Sequence, residues 1–156
     1  MSEIDRLRAQ LRASLEGGAW HGPAVLELLT DVTAEQAMMR PIPRAHTIWE
    51  LVLHLQGTYD LVLRRLRSDP TPFTDEDDWP AVPAIPSAEA WTEAGAQLRR
   101  LSLLVRDEVG RLDPARLDVP LGDPLRASTH AQLIGLTQHD LYHAGQIALL
   151  RKAIGL

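Results

Sequence analysis

At 156 residues the chain is long enough for a sizeable core, and no second composition regime divides it, so one domain over residues 1–156 is expected. With no cysteine, disulfides, thiolate metal sites and cysteine nucleophiles are excluded; any metal must be held by imidazole and oxygen, and any reacting thiol must come with a cosubstrate. The net charge of −5, scattered or paired arginines and a single lysine, Lys152, argue against a nucleic-acid partner, and the lack of a leader pattern or of an apolar run of about 18 residues predicts a cytoplasmic protein with no membrane partner.

In chain order, Ile4, Leu7, Leu11 and Leu15 form an apolar stripe at helical spacing until Gly17-Gly18 weakens it. Trp20, Val25, Leu28 and Leu29 continue apolar, so Glu3 to Thr30 reads as one kinked helix or two short ones. Thr33 to Gln36 is a capping box opening a short helical turn, which Pro41 and Pro43 end. A second box, Thr47 to Glu50, opens a long amphipathic helix through Ile48, Leu51, Val52, Leu55, Tyr59, Val62 and Leu66, reaching about Arg67.

Residues 68–86 hold five prolines, the acidic run Asp75 to Asp78, and the aromatics Phe73 and Trp79. A loop of that length reads either as a solvated crossover or as a cover over a site. Ser87 caps a third helix, in which Trp91, Leu98, Val105 and Leu112 repeat every seven residues with Ala94 and Leu101 between them. Asp113-Pro114 starts a short turn through Leu117, and Pro120, Gly122 and Pro124 keep the next stretch irregular. Thr129 to Gln132 reads as a capping box for a last helix running almost to Gly155. The pattern is four long helices and no strand.

The last helix carries the residues whose spacing suggests chemistry. His139 and His143 are four apart and fall on one face, in the stripe of Leu136, Ile147, Leu150 and Ile154, with Gln132 and Gln146 on its edge. Burying two imidazoles side by side, with no acidic partner on the same stripe, costs desolvation energy that a cation would offset. Hydrogen-bonded core histidines without a metal are the other reading of the pair. Of the remaining histidines, His21 lies in a Gly-rich interruption, His46 precedes the Thr47 cap, and His130 sits in the first turn of its helix. His54 is inside the second helix on the flank of its stripe, and facing helices of bundles commonly build metal sites from such positions.

The segment His46-Thr-Ile-Trp-Glu-Leu-Val-Leu-His54, the Asp78-Trp79-Pro80 crossover, and the closing His139-Asp-Leu-Tyr-His143-Ala-Gly-Gln-Ile147 together resemble the DinB/YfiT-like superfamily of metal-dependent enzymes, over nearly the whole chain. The resemblance implies an all-α fold, a four-helix bundle with a long crossover between helices 2 and 3. It also implies a divalent transition metal (zinc, nickel, iron or manganese) held by His54, His139 and His143. Gly145 stands where the related sulfoxide synthases have the glutamate of a His-x-x-x-His-x-Glu motif, which argues against that branch.

Three imidazoles leave coordination positions open, so the expected function is a metal-dependent enzyme that activates water or a low-molecular-weight thiol: a hydrolase or thiol S-transferase acting on a small molecule, and often a homodimer in this family. The alternative is a non-catalytic metal-binding stress-response protein whose ion is structural or vestigial. No catalytic base is assigned: Glu50 lies one turn before His54, and Tyr142 adjoins His143 but points around the helix.

Overall fold

Nearly every helix of this chain begins where a side chain takes over an unpaired backbone N–H. The computed structural model describes residues 1–121 and 127–156, and within them α1 (Glu3–Glu16) is capped by Ser2, whose hydroxyl accepts the Asp5 N–H while the Asp5 carboxylate accepts that of Ser2. Helix α3 (Ala34–Met38) follows the Thr33 box, and α4 (Ile48–Leu66) the Thr47 box. Helix α5 (Asp75–Asp78) starts at Thr74 and α6 (Ala88–Gly110) at Ser87. A 3-10 turn, Pro114–Asp118, follows Asp113, and α7 (Thr129–Ala153) closes the chain. Helix α2 (Val25–Leu28) has no side-chain hydroxyl at its cap; the Glu27 carboxylate accepts the Ala24 N–H instead.

The first apolar stretch is two helices, not one kinked helix. Gly17 has φ 127°, a conformation that side chains disfavour, so the helix cannot pass through it. Trp20, counted from sequence among the continuing apolar positions, is fully exposed in the loop between them. The cap of the last helix is corrected by one residue: Ser128 accepts the Ala131 N–H, while Thr129 donates its hydroxyl to the Val119 carbonyl. Gln132, assigned to that box, donates its amide instead to the Leu121 and Ala127 carbonyls. Leu112, the last member of the heptad series, lies past the end of α6. Gly122 and Pro124 lie outside the described residues.

The four long helices share one apolar core: α4 packs on α6 and α7, and α1 packs on the same two helices. Leu11 and Leu15 of α1, Val52 and Leu55 of α4, Leu98 and Val105 of α6, and Leu133 and Ile147 of α7 are fully buried in it. At one end the rings of Trp49 and Trp91 meet at 5.1 Å, and the Trp91 indole N–H donates to the Val32 carbonyl at 2.7 Å. No strand forms among the described residues beyond an isolated bridge between Pro120 and Ser128, and no helix there is long and apolar enough to cross a membrane.

One polar junction interrupts this core. Asp140 is completely buried, and one carboxylate oxygen accepts the Ser14 hydroxyl at 2.7 Å and the Tyr59 hydroxyl at 2.8 Å, joining α7 to α1 and α4. Burial pushes the Asp140 carboxyl up to about 7, and burial together with the Asp140 charge raises the Tyr59 phenol. The acid next to His139 is therefore turned into the helix junction and bonded to hydroxyls.

Candidate metal centre

Helix α7 presents His139 and His143 one turn apart, and α4 brings His54 to them from the facing side. The Nε2 atom of His139 lies 3.0 Å from Nε2 of His54 and 3.1 Å from Nε2 of His143. The three rings meet edge to face, with centroids 4.4 to 4.9 Å apart. His54 and His143 are buried and His139 is half-buried. The three histidines singled out from the sequence thus stand together.

The outer nitrogens explain why the inner ones converge. Nδ1 of His54 is 2.8 Å from the Asp78 carbonyl oxygen, which only accepts, so that nitrogen carries the hydrogen and Nε2 of the neutral ring is a bare lone pair. Nδ1 of His143 stands 2.7 Å from Oε1 of Gln146, with the same result. Nδ1 of His139 is buried with no hydrogen-bond partner among the described residues. Two lone pairs therefore point at Nε2 of His139, which has at most one hydrogen to offer, whereas a single cation would satisfy all three nitrogens. Two nitrogens bonded to one ion at about 2.1 Å lie roughly 3.0 to 3.4 Å apart for angles from octahedral to tetrahedral, and the two spacings above fall at the octahedral end of that range. The donor set fits a transition ion.

Electrostatics favour the neutral, ligating form of the two α7 imidazoles. Burial and the neighbouring His143 and His54 push the His139 imidazole down to about 4. Burial also lowers His143, opposed by its bond to Gln146.

The 68–86 segment reaches this centre directly. Thr74 caps α5 within the acidic run that sequence periodicity left without an element, and α5 delivers Asp78 and Trp79 to α4. The Trp79 indole stacks on the His54 ring at 4.0 Å and 4°, and on the His46 ring at 3.9 Å and 17°. His54 Nδ1 also lies 3.2 Å from an oxygen of the Asp78 carboxylate. Gly57, one turn after His54, makes the approach possible, because a β-carbon there would collide with the Asp77 carbonyl oxygen. A glycine inside a strongly amphipathic helix was the sequence signal for such a contact.

The residues weighed as bases from sequence are placed otherwise. Glu50 accepts the Thr47 N–H at 2.6 Å and two bonds from Arg40 at 2.8 and 3.0 Å, so it is a cap and an ion pair. Tyr142 is largely exposed, its ring 5.0 Å from that of His143. His130 pairs with Glu3 at 3.1 Å, and His21 is exposed, so neither joins the cluster.

The family model for the DinB superfamily matches residues 18–147, and the chain belongs to that superfamily. No curated protein and no solved structure matches the chain.

Proposed function

We propose that this DinB-superfamily chain is a metal-dependent enzyme in which His54, His139 and His143 hold one divalent transition ion and activate water or a low-molecular-weight thiol for attack on a small molecule. The observation that carries the reading is the convergence of three Nε2 atoms at 3.0 and 3.1 Å while two Nδ1 atoms are spent on the Asp78 carbonyl and Gln146. On this reading residues 1–156 form one domain, the four long helices are a bundle of the DinB type, and residues 68–86 are its crossover. An all-imidazole set suits zinc, nickel, iron or manganese.

When bound, such an ion supplies a Lewis acid that makes hydroxide or thiolate available near neutral pH and polarises a carbonyl. The chain does the positioning. Asp78 and Gln146 fix the rotation and tautomer of two ligands, the depressed basicity of His139 keeps it from being lost to protonation, and Trp79 shields the His54 ring from water. With no cysteine in the chain, a thiol in the reaction is a cosubstrate.

A non-catalytic metal-binding role is the second reading, and the engagement of Glu50 with Arg40 favours it, since that leaves the acid nearest in sequence to His54 without a free proton-transfer role. Elemental analysis of the purified protein against His54→Ala and His143→Ala tests the site: about one equivalent of metal in the wild type and loss in both variants is expected. Failure to take up zinc, nickel, manganese or iron(II) would end the metal reading. Cobalt(II) substitution then separates the two roles, because a visible spectrum that shifts on adding a small thiol requires an open position and a fixed spectrum means a closed one.

A further inference from the structure

Beside the metal centre, a groove of about 360 Å³ lies between the turn at residues 41–46 and the C-terminal half of α7. Its volume is at the small end of the about 300–1,000 Å³ typical of small-molecule sites. Ile42 and Leu149 supply aliphatic walls, Leu149 more than half exposed, over a floor of the buried core residues Leu51 and Leu150. The polar groups on the lining are Arg44, His46 and Gln146.

The charge on this groove is one-sided. Arg40, the other arginine of the turn, is committed: it donates to the Ala45 carbonyl and grips Glu50. The Glu50 carboxylate, 3.7 Å from the His46 ring, is thereby neutralised. Arg44 is exposed, has no ion-pair or hydrogen-bond partner among the described residues, and is held at φ 67°, a backbone conformation that a non-glycine residue adopts only at a cost. A single planar guanidinium matches one carboxylate through two parallel bonds, whereas a dianionic phosphate calls for more than one cation.

We propose that this groove binds a small monocarboxylate with an aliphatic body, its anionic head on Arg44 and its chain along Ile42 and Leu149. The groove touches Gln146, which backs one metal ligand, and His46, which reaches a second through Trp79. Gln146 holds His143 at 2.7 Å, and His46 stacks on the Trp79 that stacks on His54. A ligand seated there lies beside a residue that holds His143 and one that reaches His54 through Trp79, and on this proposal it is the small molecule on which the metal centre acts. The substrate role rests on the metal reading above, while carboxylate binding in the groove does not.

The test is calorimetric titration of metal-loaded protein with octanoate and with 1-octanol, on wild type, Arg44→Gln, and the His54→Ala variant after chelation. One-to-one octanoate binding is expected, at least tenfold weaker in Arg44→Gln, with 1-octanol weak in both and indifferent to the substitution. Octanoate binding that persists in metal-free His54→Ala supports the groove even where the metal reading fails. No octanoate binding, or binding equal in wild type and Arg44→Gln, overturns the proposal. Binding that disappears with the metal and ignores Arg44 places the carboxylate on the ion, which overturns the groove and leaves the metal reading standing.

Discussion

The carbonyl oxygen of Asp78 stands 2.8 Å from Nδ1 of His54, so a residue of the crossover fixes the tautomer of a residue on α4. The contact depends on Gly57, where the absent side chain lets the backbone of Asp77 lie against the helix. Gly57→Ala should therefore push α5 away and loosen His54. Outer-sphere partners of metal ligands are typically worth about 10- to 100-fold in affinity, and a loss of that size is expected in competition with a chromogenic chelator. Alanine raises intrinsic helix propensity by about 1 kcal/mol over glycine, so α4 itself should not melt, and far-ultraviolet circular dichroism should be unchanged. Unaltered metal affinity would detach the crossover from the site.

Gln146 offers a second and independent handle, because it anchors His143 from within α7 at 2.7 Å. Gln146→Ala should weaken metal binding by about tenfold or more. Gln146→Glu should bind at least as tightly as wild type, since a charged acceptor makes the stronger bond to an imidazole N–H. Equal losses in the two variants would mean that the residue serves packing alone.

Removing the ion should lower stability without dissolving the fold. The core of Leu11, Val52, Leu55, Leu98, Val105, Leu133 and Ile147 closes without any metal, unlike that of a zinc finger. A ligand at about 100 times its Kd stabilises the native state by about 2.7 kcal/mol, and a domain of this size shifts by about 2–4 °C per kcal/mol. Chelation should thus lower Tm by about 5–10 °C and leave the helical circular dichroism intact at 25 °C. Collapse of helicity on chelation would make the ion a folding element and favour the non-catalytic reading.

The helices were legible because their signals are local: the boxes at Thr33 and Thr47 and the cap at Ser87 each name a helix start in the sequence itself. The histidine pair was legible for the same reason, since four residues make one turn. What escaped was what three-dimensional neighbours decide. Asp140 lies off the histidine stripe and carries no sequence signal of its own, yet hydroxyls from α1 and α4 accommodate it in the core. His46 reads as the residue before a cap, and its role as a stacking partner of Trp79 depends on a crossover more than thirty positions downstream. The cap at residues 128–129 was misread by one position because Ser128 and Thr129 are chemically alike, and only the Val119 carbonyl distinguishes them.

The apo protein should carry two opposed pH dependences in adjacent residues. His139 titrates near 4 in the fold and near 6.5 unfolded, so between those values the unfolded chain binds more protons and this residue makes stability rise with pH. Asp140 titrates near 7 in the fold and near 3.8 unfolded, so the native state holds the extra proton and stability falls as pH rises through that window, by up to about 4 kcal/mol if the whole shift is expressed. In chelated protein, Asp140→Asn should therefore gain stability relative to wild type progressively from pH 4 to 7 and then level off. His139→Gln should show its advantage below pH 6.5 and lose it above, because the wild type must charge a half-buried ring only in acid. Urea denaturation of the three proteins at half-unit pH intervals reads both differences. A pH-independent offset for Asp140→Asn would mean that Asp140 remains ionised in the core, stabilised by Ser14 and Tyr59 well enough to cancel its burial.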